Sequence, residues 1–156
     1  IASNQNYIAL CMVSKDKIKD CPLETCIELI NKINAQKING KIYRVIFCGV
    51  GDATKEYAEN LKQANCNFID LTNKTTILEL ASLLKKCKAL VSVDTGTMHL
   101  GYALDTPTVC LFYKDGNADY WAPDPKLYKT RIINKNISVK GIINNLKEIL
   151  RESVNE

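Results

Sequence analysis

Short apolar runs alternate with helical patterns along this chain of 156 residues, and this alternation constrains the fold more than any other feature. Unbroken apolar runs of this length are typical of strands buried on both faces, as in a parallel sheet. The sequence therefore predicts an α/β fold, in which helices cover both faces of a doubly wound, mostly parallel, Rossmann-like sheet of six strands. The predicted strands cover residues 7–13, 43–48, 67–70, 89–93, 108–112 and 131–133.

Apolar residues at helical spacing fill most of the segments between these runs. Pro22 marks the start of the first helix, and Asn39-Gly40 is a stop signal near its end. Residues 113–129 are polar and are predicted as a loop. Further helices are predicted at about 52–64, 76–86, 97–104 and 139–150. No repeat or linker divides the chain, so we expect one domain over residues 1–156.

The simplest strand order for this succession of elements is 3-2-1-4-5-6. That order reverses direction between strands one and four, and ligands of such folds bind at the carboxyl ends of the strands at the reversal. The loops that follow Val13 and Val93 are therefore the expected positions of a binding site.

The loop after Val93 has the residue types that an anion site needs. Gly96 allows a ligand to approach the backbone, and the N–H groups at the start of the next helix attract negative charge. Thr95 and Thr97 add hydroxyl groups, and His99 follows one turn later. An ordinary helix cap by Asp94 or Thr95 is the alternative, and spacing alone does not decide between the two. The position at the strand reversal favours a ligand.

The loop after Val13 is rich in lysine, at positions 15, 17 and 19. Such a run is usually a solvated loop, but its position opposite Gly96 makes a phosphate-binding lysine plausible here. After the second strand, Gly49-Val50-Gly51-Asp52 is a weaker signal. Thr54 occupies the third glycine position, so a nicotinamide-dinucleotide fingerprint is not supported. Asp52 could contact a ribose or could simply be a turn residue.

Composition excludes several classes of protein. A net charge of +4 suits an anionic ligand or a loose encounter with a membrane surface, but it is too small for a nucleic-acid-binding protein. No apolar run approaches the roughly 18 residues that span a bilayer. The seven cysteines contain no Cys-x-x-Cys pair, and only one histidine is present, so we expect buried free thiols and no metal site. The chain begins Ile1-Ala2-Ser3, without methionine, and we expect it to be part of a longer protein.

The residues around this site resemble glycosyltransferase family 9, the lipopolysaccharide heptosyltransferase family. The resemblance runs from about Tyr7 to Pro123. Its specific part is the Asp-Thr-Gly-x-x-His core, whereas the other stretches are supportive. The matching stretches are VSVDTGTMHL at 91–100, ALDTPTV at 103–109, KDCP at 19–22 and LTNKTTI at 71–77.

The resemblance implies the C-terminal, donor-binding half of a two-domain GT-B enzyme. That family is bacterial and transfers heptose from ADP-heptose to the lipopolysaccharide core with inversion, without a required metal or other cofactor. A member would be cytoplasmic, either free or peripheral at the inner membrane, with no nucleic-acid partner. The catalytic base and the acceptor site belong to the other half, so this fragment alone would bind the donor without turnover. A non-catalytic nucleotide-sugar-binding or scaffolding domain is the alternative.

The resemblance also implies a role for individual residues. The diphosphate would be held by Ser14, Lys19, Thr95, Gly96 and Thr97, the sugar hydroxyls by Asp94, and the phosphate–sugar junction by His99. Less specifically, Asp52 would hold the ribose and Thr75 would border the adenine.

The chain departs from the family's motifs at several positions. Cys21 replaces a tryptophan, and Asn73 replaces a glycine. The family's Phe-Gly-Pro stretch is Phe112-Tyr113-Lys114 here, so a bulky tyrosine replaces its glycine. These departures bear on the identity of the donor sugar more than on the fold. A receiver-type signalling domain is disfavoured, because it needs a carboxylate cluster where this chain has Ser14-Lys15.

Overall fold

Six strands form the centre of the molecule in a computed structural model that describes Ala2 and residues 4–154, with only the backbone of Val154. Ile1 and Ser3 lie outside the described residues. They belong to the Ile1-Ala2-Ser3 start, on which the expectation of a longer protein rests. The strands are β1 (Tyr7–Cys11), β2 (Arg44–Phe47), β3 (Ile69–Asp70), β4 (Ala89–Val93), β5 (Thr108–Leu111) and β6 (Thr130–Ile133). They are all parallel, in the order β3-β2-β1-β4-β5-β6. The predicted fold class and strand order are confirmed.

In the described part of the chain, six helices connect or follow the strands: α1 (Leu23–Ala35), α2 (Asp52–Gln63), α3 (Ile77–Lys86), α4 (Gly96–Ala103), α5 (Asn117–Trp121) and α6 (Val139–Val154). A 3-10 turn, Lys17–Lys19, follows β1. Helix α3 starts where its sequence predicts, because Thr76 and Glu79 form a capping box with hydrogen bonds of 3.1 and 3.0 Å.

Every strand except β4 differs from its predicted bounds by one or two residues at an end. Two larger differences concern helices. Helix α1 ends at Ala35, because Asn39 and Gly40 have positive φ values of 51° and 81° and form a separate turn between the bridged residues Ile38 and Lys41. Helix α5 lies inside the segment predicted as a loop. It has only five residues, too few for an apolar repeat to be recognised.

The alternation of side chains along the strands divides the core into two layers. In β1, Ile8 and Leu10 belong to the larger layer, whereas Ala9 and Cys11 belong to the smaller one. The larger layer is covered by α1 and by α6, whose apolar residues are buried there. The smaller layer is covered by α3 and by the partly buried Leu100 and Leu104. Helix α6 therefore packs on this domain.

All seven cysteines are free thiols, and six of them are buried. The prediction that they act as small buried side chains is confirmed for those six; Cys66 is partly exposed. Within residues 4–154, no helix has both the length and the apolar character to cross a membrane.

Helix α4 contains two glycines in opposite surroundings. A Cβ at Gly101 would lie 2.4 Å from Leu90 Cδ2 and 3.2 Å from Thr108 Oγ1, whereas a Cβ at Gly96 would meet no atom within 4 Å. We predict that Gly101→Ala lowers the free energy of unfolding by about 1–2 kcal/mol, because displacement of the buried Leu90 outweighs the better helix propensity of alanine. Gly96→Ala is the matched control and should change it by no more than about 0.5 kcal/mol. Urea denaturation measures both, and equal losses in the two variants would contradict the packing argument.

Candidate functional site

The loops after β1 and β4 meet at the carboxyl edge of the sheet. Strand β1 pairs directly with β4, with Cys11 opposite Ser92, so the two chain segments leave the sheet side by side. Lys19 in the first loop lies 3.3 Å from Asp94 in the second, measured from Nζ to Oδ2. The strand reversal thus brings together the two loops that the sequence selects.

Asp94 is the buried charge of this site, with a side chain only 7% exposed. Its Oδ2 also accepts a hydrogen bond from Asn117 Nδ2 in α5, and its Oδ1 lies 3.9 Å from His99 Nε2. A buried carboxylate is costly without partners of this kind. Three residues from three segments of the chain therefore surround one carboxylate.

Thr95 caps helix α4, as the alternative interpretation of this motif expects. Its Oγ1 accepts the N–H of Met98 at 3.4 Å and lies 3.3 Å from Ser92 Oγ. The first N–H groups of a helix have no partner within the helix, and Gly96, the first residue of α4, is exposed. The cap and the open helix start coexist, so the cap does not argue against an anion site here.

Cys11 lies beneath this corner, with its Sγ 3.7 Å from Thr95 Oγ1. A hydrogen bond from Cys48 is the main reason that the pKa of Cys11 is lowered to about 7, against the opposing effect of burial. The hydroxyl groups of Thr95 and Thr97 act in the same direction. The sequence identifies Cys11 only as a buried strand residue, because its partners come from other segments.

His99 contacts Asp94 through Nε2 and a second residue through Nδ1. Nδ1 lies 2.5 Å from the hydroxyl of Tyr102, one turn further along α4. The Trp121 ring packs edge-on against the imidazole, with a centroid distance of 6.4 Å. The i,i+3 spacing of His99 and Tyr102 could have identified this pair from the sequence. Asn117 and Trp121 had no such signal, because α5 was not predicted.

Within the loop after β1, Ser14 is tied to its own neighbours. Its Oγ accepts the N–H of Asp16 at 3.0 Å, and its N–H donates to Asp20 Oδ1 at 2.7 Å. Burial raises the pKa of Asp20, and a hydrogen bond from Lys114 lowers that of Asp16. The Lys114–Asp16 ion pair, with Nζ 3.2 Å from Oδ2, connects this loop to the segment after β5. These contacts fix the turn that carries Lys19.

Asp52 and Thr75 lie at the same edge of the sheet but apart from Asp94. Asp52 is the exposed first residue of α2, and Thr75 is partly buried just before α3. Across the part of the chain that the structure describes, neither makes a hydrogen bond or ion pair to Asp94, Lys19 or His99. Asn73 joins their two loops by accepting the N–H of Gly51 at 2.7 Å. Its φ of 58° is one that glycine or asparagine adopts readily.

Two further departures from the family motif, Cys21 and Tyr113, contact each other. The Tyr113 hydroxyl donates to Cys21 Sγ at 3.4 Å, and Cys21 is only 1% exposed. The Tyr57 hydroxyl donates to the Cys21 carbonyl at 2.8 Å on the same face of the core. Where the motif has a large residue and a glycine, this chain has a small residue and a tyrosine. The large side chain therefore lies after β5 in this chain, whereas the motif has it after β1.

Comparison with known proteins identifies the family. The family model described as glycosyltransferase family 9 (heptosyltransferase) matches residues 1–140. The chain belongs to glycosyltransferase family 9. It is 30% identical over 105 residues to lipopolysaccharide heptosyltransferase 2 of Salmonella typhimurium. The aligned region covers 64% of this chain and 29% of the Salmonella protein.

Solved structures of similar proteins share the fold. The ADP-heptose LPS heptosyltransferase II of E. coli has a TM-score of 0.82 at 22% identity, over 98% of this chain and 49% of that chain. A family 9 glycosyltransferase from Veillonella parvula has a TM-score of 0.78 at 18% identity, over 97% of this chain and 48% of that chain. The E. coli heptosyltransferase WaaC with ADP has a TM-score of 0.71 at 20% identity, over 96% of this chain and 46% of that chain. The chain thus spans about half the length of these solved structures.

No group of three or more His, Cys, Asp or Glu side chains is arranged to hold a metal ion among residues 4–153. Lys19 Nζ and His99 Nε2 lie 3.3 and 3.9 Å from the Asp94 carboxylate.

The contact between Cys21 and Tyr113 predicts that their substitutions are not additive. Cys21→Trp alone should destabilise the fold by about 1–3 kcal/mol, because the position is already filled. In a Tyr113→Gly background the same change should cost at least about 1 kcal/mol less, since the space vacated by the tyrosine lies next to it. A double-mutant cycle measured by urea denaturation tests this. Additive losses of unfolding free energy would mean that the side chain at position 21 does not use the space left by Tyr113.

Proposed function

We propose that this chain binds a nucleotide-diphosphate sugar at the Asp94 corner and forms the donor-binding half of a glycosyltransferase. The observation that carries the proposal is the convergence of Lys19, the open start of α4 and His99 around the buried Asp94 carboxylate. A diphosphate needs cationic and N–H partners, and a sugar needs an acceptor for its hydroxyl groups. The corner offers both within one small volume.

Each residue has a role in this proposal. Lys19 and the N–H groups of Gly96 and Thr97 hold the diphosphate, with Ser14 and Thr95 shaping the loops behind them. Asp94 accepts hydrogen bonds from the sugar, and His99 contacts the junction of sugar and phosphate. Asp52 and Thr75, further along the same edge, border the nucleoside.

The chemistry of transfer explains why such groups are useful. When the sugar leaves, negative charge grows on the departing nucleoside diphosphate. A fixed ammonium group and aligned N–H dipoles stabilise that charge without reorganisation. The base that activates the acceptor is expected in the part of the protein outside this chain, so the chain alone should bind without transfer. No resident metal or other cofactor is part of this proposal.

The names of the relatives support an adenosine diphosphate donor. One solved relative is the E. coli heptosyltransferase WaaC with ADP, and another structure of it contains ADP-2-deoxy-2-fluoro heptose. We therefore propose ADP-heptose as the donor and a lipopolysaccharide-core-type sugar as the acceptor, with the whole protein acting in the cytoplasm at the inner-membrane surface. Transfer by the full-length protein from ADP-heptose to such an acceptor tests this; donor binding without transfer would favour the non-catalytic alternative.

The single tryptophan of the chain makes donor binding measurable without a label, because Trp121 packs against His99. We expect ADP or an ADP-sugar to change Trp121 fluorescence with saturation. Lys19→Ala should weaken this binding about 10- to 100-fold, since a hydrogen bond to a charged partner contributes about 1.5–3 kcal/mol. Gly96→Ala should also weaken it, because the new methyl group occupies the space open to the phosphate.

Lys17→Ala is the matched control. It removes the same charge from the same turn, but from an exposed side chain that makes no ion pair to Asp94, and it should leave the affinity within about twofold. Absence of any ADP effect at millimolar concentration in the folded protein would refute the proposal. Equal losses in the Lys17 and Lys19 variants would reduce the role of Lys19 to general charge attraction.

A further inference from the structure

His99 is the one histidine of the chain, and its two ring nitrogens face different partners. Nδ1 lies 2.5 Å from the Tyr102 hydroxyl. Nε2 lies 3.9 Å from Oδ1 of the buried Asp94. A neutral imidazole carries one N–H, and the group at one nitrogen decides which nitrogen has it. The tautomer of His99 therefore depends on Tyr102 and Asp94 together.

We propose that Tyr102 is a positioning residue, whose hydroxyl donates to Nδ1 and so presents the Nε2–H of His99 to the site. With this assignment both contacts are favourable, because the phenol proton points at a lone pair and the Nε2–H points towards a carboxylate oxygen. The opposite assignment would make the hydroxyl accept from Nδ1–H and would turn the Nε2 lone pair towards the Asp94 carboxylate. Two acceptors would then face each other, which is the less favourable arrangement.

Tyr102 is itself held in place. It lies three residues after His99 on α4, so the helix sets the distance between the two side chains. Its ring packs against Tyr128 with a centroid distance of 4.7 Å and edge-on against the imidazole at 5.5 Å. Burial raises the pKa of Tyr102, which keeps the phenol in its protonated, donating form.

This assignment rests on the proposed function for its consequence. A phosphate oxygen or a sugar–phosphate oxygen accepts hydrogen bonds, so only the Nε2–H form of a neutral His99 can bind it. Tyr102 would then prepare the histidine before the ligand arrives, and the ligand need not select one tautomer from a mixture.

The experiment is ¹⁵N NMR of the imidazole, in which the single histidine gives one set of signals without assignment. At a pH where an ordinary imidazole is neutral, we expect the wild-type spectrum to show the Nε2–H form only, with the Nδ1 frequency displaced by an accepted hydrogen bond. In Tyr102→Phe the Nδ1 frequency should move towards that of a free imidazole nitrogen, and a fraction of the Nδ1–H form should appear. Tyr120→Phe, which removes a hydroxyl from a side chain 84% exposed, is the control and should leave the spectrum unchanged.

A predominant Nδ1–H form in the wild type would overturn the proposal, and so would an Nδ1 signal that does not move in Tyr102→Phe. These measurements need no ligand, so their failure differs from a failure of the proposed function, which would appear as no binding of ADP to the wild type. Where ADP binds, Tyr102→Phe should weaken it about three- to tenfold, the size expected for one neutral hydrogen bond, while Tyr120→Phe should not.

Discussion

The direct pairing of β1 with β4 is the constraint on which the rest of the site depends. Cys11 and its partner Ser92 are 81 residues apart in the sequence, but they are direct neighbours in the sheet. Because the helices that follow β1 and β4 pack on opposite faces of the sheet, a crevice forms between the two loops at this pair. The Lys19–Asp94 ion pair and the Cys11–Thr95 contact both follow from that pairing.

The buried carboxylate gives this crevice its chemical character. The Asp94 carboxylate contacts Lys19, Asn117 and His99. A diphosphate would compete for the ammonium group of Lys19, and sugar hydroxyls would then replace it at the carboxylate. Recognition of the phosphates and of the sugar would thus be coupled through the Lys19–Asp94 ion pair. A ligand that has only one of the two parts would leave either Asp94 or Lys19 with fewer polar partners.

The sequence predicted the elements that carry their own local signal, and it failed where the signal lay elsewhere in the chain. Strand β4 was predicted with its exact bounds, and Asp94, Thr95 and His99 follow it directly, so their placement needed only the strand order. Asn117 and Trp121 lie on a five-residue helix with no periodicity, and their contacts are with residues more than 15 positions away. Such contacts depend on tertiary packing, which no local pattern reports.

The departures from the family motif lie around the site and are matched by contacts of their own. The Tyr113 hydroxyl donates a hydrogen bond to Cys21. Asn73 adopts a left-handed conformation and accepts a hydrogen bond from the Gly51 N–H. Lys114, where the motif has proline, pairs with Asp16 in the turn that carries Lys19. Each change therefore supports the position of a loop at the carboxyl edge of the sheet. The divergence thus concerns the packing beneath these loops, whereas Lys19, Asp94, Thr95, Gly96 and His99 still match the motif.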